Sequence, residues 1–258
     1  MQCLSRQRGF SLTETLLAVG TLAVGLLFIA GTFMTGIFLA TVSTERTIAA
    51  VAADEAFAKI QVFGLDLDAP DLKSTGFVPY EPNAPVGYLY PSTVDTSGSQ
   101  YCWVALCRRV SPTSRLVQIV VFVSRKAGTN VRYWVRQPDP NDLTLSPSDL
   151  PRPVRVKVEP SGAATAADEL RIVDAVGSDA TDESEFVNDG SVLVADQTGH
   201  IYRVLERYAN PANVIKLDRQ WEEDAPATGA DQWVWVIPPP ISGARNPFVA
   251  VYQRILRF

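Results

Sequence analysis

The feature that most constrains this chain is an apolar run near its N-terminus that ends about Ala40 and carries one charge, Glu14. At about thirty residues it exceeds the roughly 20 apolar residues that a helix needs to cross a bilayer core. Arg6 and Arg8 precede it. Basic residues ahead of an anchor hold that end in the cytoplasm, so the remainder is expected on the far side of the membrane. A secretory signal peptide has a shorter apolar region, of about 7–15 residues, and a small-residue cleavage site after it. The run here is too long for that pattern. A carboxylate inside an apolar helix is costly and calls for a cationic partner.

The residues around that carboxylate form a recognisable motif. Arg8-Gly9-Phe10-Ser11-Leu12-Thr13-Glu14-Thr15-Leu16-Leu17 resembles the cleavage and methylation motif of type IV prepilins and type II secretion pseudopilins. The resemblance implies that residues 1–9 are a leader removed by a membrane prepilin peptidase. Cleavage would fall between Gly9 and Phe10, with methylation of the new Phe10 amine. It implies that Glu14 then faces the Phe10 amine of a neighbouring subunit. A buried carboxylate needs a cation, and a new α-amine supplies one. Many major pilins carry a proline where Gly31 stands, so Ala18-Val19-Gly20-Thr21-Leu22-Ala23-Val24-Gly25 is more similar to the minor members of the family.

Beyond the apolar run the helix is expected to continue. Ile48, Ala52, Ala56, Ile60 and Phe63 recur at spacings of three and four, one stripe of an amphipathic helix. No proline interrupts Phe10–Ala69. The expected organisation is therefore a transmembrane or filament-core helix half over 10–40, an amphipathic half over 41–65, and a β-rich extracytoplasmic domain over 66–258. Gly20, Gly25, Gly31 and Gly36 fit ordinary membrane-helix composition, and also close helix contact through small residues.

The remainder reads as strands. Tyr101–Arg109, Arg115–Arg125 and Val131–Gln137 are rich in Val, Ile, Trp and Tyr and are joined by short turn-like links, the pattern of an antiparallel meander. Proline-rich residues 138–153 read as a loop. Further strands are expected at Val154–Glu159, Leu170–Val176, Ser191–Asp196, His200–Arg207, Val214–Asp218, Gln232–Ile237 and Phe248–Ile255, with Gln197-Thr198-Gly199 as a hairpin turn. The fold class expected is α+β: a long N-terminal helix whose second half packs on an antiparallel sheet.

Charge and residue chemistry narrow the function. Net charge is −5, and loss of Arg6 and Arg8 with the leader makes the remainder more acidic. No basic cluster of the kind that neutralises phosphates occurs, which argues against nucleic-acid binding. The sole histidine, His200, follows Gly199 at a hairpin and has no nucleophile motif to serve. No phosphate-cradling glycine motif occurs. The chain therefore reads as a non-enzyme without a cofactor. Asp179, Asp182, Glu183, Glu185 and Asp189 could gather around calcium, although an acidic loop in solvent fits them better. Trp103, Trp134, Trp221, Trp233 and Trp235 suit core packing first and ligand contact second. Cys102 and Cys107 leave two alternatives, separate buried thiols or a disulfide. Five residues apart on one strand, they would stand on opposite faces and roughly 16 Å apart.

Taken with the resemblance, these features imply a minor pilin-like subunit of a type IV pilus or a type II secretion pseudopilus. Its partners would be the prepilin peptidase, other pilins or pseudopilins, and an inner-membrane assembly platform. Its place would be the inner membrane first, then a periplasmic or cell-surface filament. The alternative is a signal-anchored β-rich binding protein or adhesin that does not polymerise.

Overall fold

A computed structural model describes residues 11–69, 72, 76–81, 88–91, 99–126, 128, 130–136, 144–160, 167–175, 181–223, 231–243 and 246–258. The protein is α+β, one long N-terminal helix followed by a predominantly β body. It divides into two compact units, Met1–Thr47 and Ile48–Phe258.

Helix α1 spans Leu12–Phe63. It starts where Ser11 caps it: the backbone N–H of Glu14 lies 3.0 Å from the Ser11 carbonyl and 3.3 Å from its Oγ. Serine is a favoured cap because its oxygen satisfies an N–H that the first turn leaves unbonded. The helix stops at Gly64, whose N–H bonds the Ile60 carbonyl and whose φ of 77° favours glycine, which has no Cβ to clash.

In the second unit, Ala49, Ala52, Ala53, Ala56, Phe57 and Ile60 of α1 are buried in one cluster with Trp103, Ala105, Cys107, Val117, Ile119, Val121 and Val123. The last seven come from β3 (Tyr101–Arg109) and β4 (Leu116–Arg125). Four alanines at the contact bring the helix backbone close to the sheet. Phe63, expected on this stripe, is 60% exposed. The helix ends there, and Phe57, six residues earlier, supplies the aromatic instead.

The sheet order is β1 (Val78–Pro79), β3, β4, β13 (Phe248–Arg257), with β2 (Leu89–Tyr90) also on β3. Strand β4 is buried along eight consecutive positions, so both of its faces are covered. The face away from the helix, with Leu106, Val120 and Phe122, packs with Phe77, Val194, Trp235 and Ile237.

The expected third strand of a meander does not lie beside β4. β5 (Tyr133–Arg136) pairs instead with β6 (Leu145–Ser148), inside the stretch expected to be loop, and β13 takes its place. Pro147 sits in β6 opposite Trp134. A two-stranded ribbon is all edge, and an edge tolerates a residue without an N–H.

Six strands close a barrel in the order β10-β11-β8-β7-β12-β9, where β7 is Val154–Pro160, β8 Glu169–Val173, β9 Val192–Ala195, β10 Ile201–Arg207, β11 Val214–Leu217 and β12 Gln232–Val236. Alternate residues point inward, and Val154, Val156, Val158, Leu170, Ile172, Leu193, Tyr202, Ile215, Val234 and Val236 fill the interior. Closure removes the free edges that the separate strands would leave.

Candidate functional site

The first unit carries the most unusual surface. Every large apolar side chain exposed on α1 between Leu12 and Leu39 has more than half its area open, from Val24 at 53% to Met34 at 79%. The most apolar window of this helix is wholly unburied, and the helix is long and apolar enough to cross a membrane. Its hydroxyls are settled internally. Thr15, Thr21 and Thr32 donate to the carbonyl three residues back, and Thr35, Thr41, Thr44 and Thr47 to the carbonyl four back, all at 2.8–3.1 Å. Each hydroxyl therefore needs nothing from its surroundings, which suits an apolar medium where an unmet polar group is costly.

Glu14 lies in the first turn of α1 and is exposed. With Ser11 it makes the pattern Ser-x-x-Glu of a capping box, and the N-terminal end of the helix dipole favours a carboxylate there. Gly9 and Phe10 fall outside the described residues.

In the second unit the residues singled out as chemical candidates are dispersed. Asp182 caps a 3-10 turn at Glu183–Phe186 by accepting from the Ser184 N–H at 2.8 Å. Glu183, wholly buried, pairs with Arg136 of β5. Asp189 accepts from the Arg207 N–H at 2.6 Å, and Glu185 is exposed. Asp179 falls outside the described residues. Among the described residues no group of three His, Cys, Asp or Glu side chains could hold a metal ion.

His200 is 45% exposed and its Nδ1 lies 3.0 Å from Oε1 of Glu223. Glu223, 7% exposed, also accepts from the Thr198 hydroxyl at 2.7 Å and from the Tyr202 phenol at 3.0 Å. Tyr202 stacks on Trp221 with ring centres 4.7 Å apart. This node ties residues 221–223 to the β9–β10 hairpin.

The possible disulfide does not form. Cys102 and Cys107 are free and buried. Cys107 faces the helix with Trp103 and Ala105, whereas Cys102 stands on the other face and its Sγ contacts the Ser124 carbonyl at 3.6 Å. An odd separation along one strand forces that outcome. Burial pushes the Cys102 thiol up to about 12 and Cys107 higher still.

The tryptophans divide by location. Trp103 joins the helix-facing cluster, Trp134 and Trp221 border the barrel core, and Trp235 fills the layer between sheet and barrel. Trp233 is half-buried beneath the Arg155 guanidinium, 4.6 Å from its ring centre.

Two features had no signal in the sequence. The carboxylate of Asp196 gathers the Phe77 N–H at 3.1 Å, the Trp235 indole N–H at 2.7 Å and Arg155 Nη2 at 2.8 Å. A polar groove of about 610 Å³ is lined by Glu81, Arg132, Arg136, Asp149 and Arg152 with serines of β6. Their members come from segments far apart in the chain, so no local spacing announces them.

Comparison with family models, with curated proteins and with solved structures finds no match to this chain.

Proposed function

We propose that this protein is a minor pilin-like structural subunit of a type IV pilus or a type II secretion pseudopilus. On this reading residues 1–9 are removed after Gly9, Phe10 is methylated, and the chain assembles through α1. The observation that carries the reading is the exposed apolar first part of α1, headed by Glu14 and followed by a β-rich body. Such a helix has two stable surroundings, lipid and a bundle of like helices. Moving from one to the other keeps its apolar surface away from water. The internally bonded threonines are suited to both.

Glu14 is the register device. In a bundle its carboxylate meets the Phe10 amine of an adjacent subunit, and the pairing offsets the cost of holding either charge in apolar surroundings. The body is extracytoplasmic and decorates or caps the filament. The partners are a prepilin peptidase, other pilins or pseudopilins, and an inner-membrane platform that supplies the energy for extraction.

The test separates processing from assembly. Gly9→Val should leave residues 1–9 attached, read as the intact mass of the membrane form. A product of normal processed mass in this variant rejects the prepilin reading. Glu14→Ala should be processed normally and be lost from sheared filaments. Unchanged incorporation of that variant rejects the pairing mechanism.

A further inference from the structure

The sheet of the second unit is closed on one side and open on the other. Along β3 the two short strands β1 and β2 occupy the edge. At the opposite edge lies β13, ten residues long, with no strand on its outer side among the described residues. An edge strand of that length is a ready template for another extended chain, and natural proteins usually shorten, cover or distort such edges. Here the only irregularity is the shift between Phe248 and Ala250. From Ala250 to Arg257 the register with β4 runs unbroken.

Hydrogen-bond direction identifies which groups are open. The Phe258 N–H donates to the Arg115 carbonyl, toward β4. In an antiparallel pair the bonding direction alternates, so Tyr252, Arg254 and Leu256 also bond inward. Gln253, Ile255 and Arg257 therefore turn their N–H and C=O groups outward. All three are exposed, Ile255 at 59%. The earlier half of the strand, Phe248 to Tyr252, is half-buried.

Charge selects the occupant. The only charged side chains in Phe248–Phe258 are Arg254 and Arg257. Arg254 is paired with Asp54 of α1 at 2.6 Å. Arg257 has no ion-pair partner among the described residues. Two copies of β13 side by side would bring together two Arg257 guanidiniums and no carboxylate from the strands themselves, and like charges across a ladder are destabilising. We infer that Gln253–Arg257 of β13 is a strand-addition site for an extended, acidic segment of a different protein. Main-chain hydrogen bonds to residues 253, 255 and 257 give the affinity, Ile255 offers an apolar contact, and Arg257 selects Asp or Glu. The inference concerns the second unit alone and stands whether or not α1 enters a filament.

The experiment uses the full chain in detergent micelles and two fluorescent peptides, Thr-Glu-Val-Glu-Val-Glu-Thr and its lysine counterpart Thr-Lys-Val-Lys-Val-Lys-Thr. In the free chain the amides of Gln253, Ile255 and Arg257 should exchange hydrogen fast while those of Arg254 and Leu256 exchange slowly. The acidic peptide should bind and slow the fast set; the lysine peptide should bind about tenfold or more weakly. Ile255→Pro keeps the pairing with β4, because the lost N–H points outward, and should weaken the acidic peptide about tenfold or more. Arg257→Glu is a milder surface change that guards against a folding defect in the proline variant, and it should invert the preference between the peptides. Equal affinity for the two peptides, no binding by either, or slow exchange of all five amides in the free chain overturns the inference. So does a dimer of the full chain that Ile255→Pro dissolves, because the occupant would then be a second copy.

Discussion

The indole N–H of Trp235 donates to Oδ1 of Asp196 at 2.7 Å, across the layer where the sheet meets the barrel. Asp196 is 3% exposed, and the same carboxylate holds the Phe77 N–H and Arg155. Phe77 precedes β1, Arg155 belongs to β7 and Trp235 to β12, so one side chain joins three segments.

Replacing Asp196 with Ala strands the Trp235 indole N–H and takes the carboxylate from the Arg155 guanidinium, while the Phe77 N–H keeps the carbonyl of residue 196 at 3.2 Å. A buried donor left unmet costs about 1–3 kcal/mol, and Arg155, partly exposed, is left to solvent. Urea unfolding of the Asp196→Ala variant should show a loss in that range. Gly76→Ala should also destabilise, because a Cβ there would stand 2.5 Å from Oδ2 of Asp196. The two losses should be less than additive, since both act on the same carboxylate.

The cysteines give a chemical readout. The thiolate is the reactive form, and burial holds both thiols protonated at neutral and mildly alkaline pH. Cys102 and Cys107 should resist iodoacetamide at pH 8 in the folded protein and react fully in urea. Mobility on a gel should not depend on reductant. Rapid labelling of either thiol in the folded state contradicts the packing of β3 between its two covered faces.

The elements were legible in the sequence where a pattern is local. The apolar run and the stripe from Ile48 to Ile60 announce α1, a Tyr-Cys-Trp-Val-Ala-Leu-Cys run announces β3, and a run of Val and Ile announces β4. Gly199, with φ 78°, marks the β9–β10 hairpin, as Gln197-Thr198-Gly199 suggested. Partner choice was not legible. A period of two says which face of a strand is apolar, and nothing about which strand lies beside it. The pairing of β4 with β13 joins residues more than a hundred positions apart, and the barrel joins β7 to β12 across the whole second half. The polar nodes at Asp196 and Glu223 follow from that long-range pairing, so they were equally hidden. Phe63 was misplaced because it is the last residue of α1, where the helix ends before Gly64 and leaves the side chain exposed.

Tyrosines make the protein alkali-sensitive in a defined window. Burial pushes the Tyr88 phenol up to about 12, and burial with the Glu223 carboxylate does the same for Tyr202. Their ordinary value in an unfolded chain is about 10. Above that value the unfolded chain loses these protons while the folded chain keeps them, so stability falls as pH rises from about 10 to about 12. Stability from this source is complete below pH 10. Absorbance at 295 nm should show a late-titrating set of phenols in the folded protein, and the urea midpoint should drop across the same window. In Tyr88→Phe and Tyr202→Phe variants the drop should be smaller.

The contact between α1 and the sheet is set by size. Ala52 and Ala56 have no exposed surface, and each faces strands that are themselves closed. A leucine at Ala52 has no room unless helix and sheet separate, and overpacking of this kind costs about 1–3 kcal/mol. Phe57→Ala acts in the opposite sense. It removes the one aromatic that α1 buries, leaves a void beside Arg254, whose guanidinium lies 4.7 Å from the ring centre, and should cost about 3–5 kcal/mol. Val62→Leu is the control, because Val62 is 81% exposed and should tolerate the change within about 0.5 kcal/mol. Thermal unfolding of the three variants orders them as Phe57→Ala lowest, Ala52→Leu next and Val62→Leu near the parent. If Ala52→Leu left the protein as stable as the parent, the close approach of helix and sheet through alanine would be wrong.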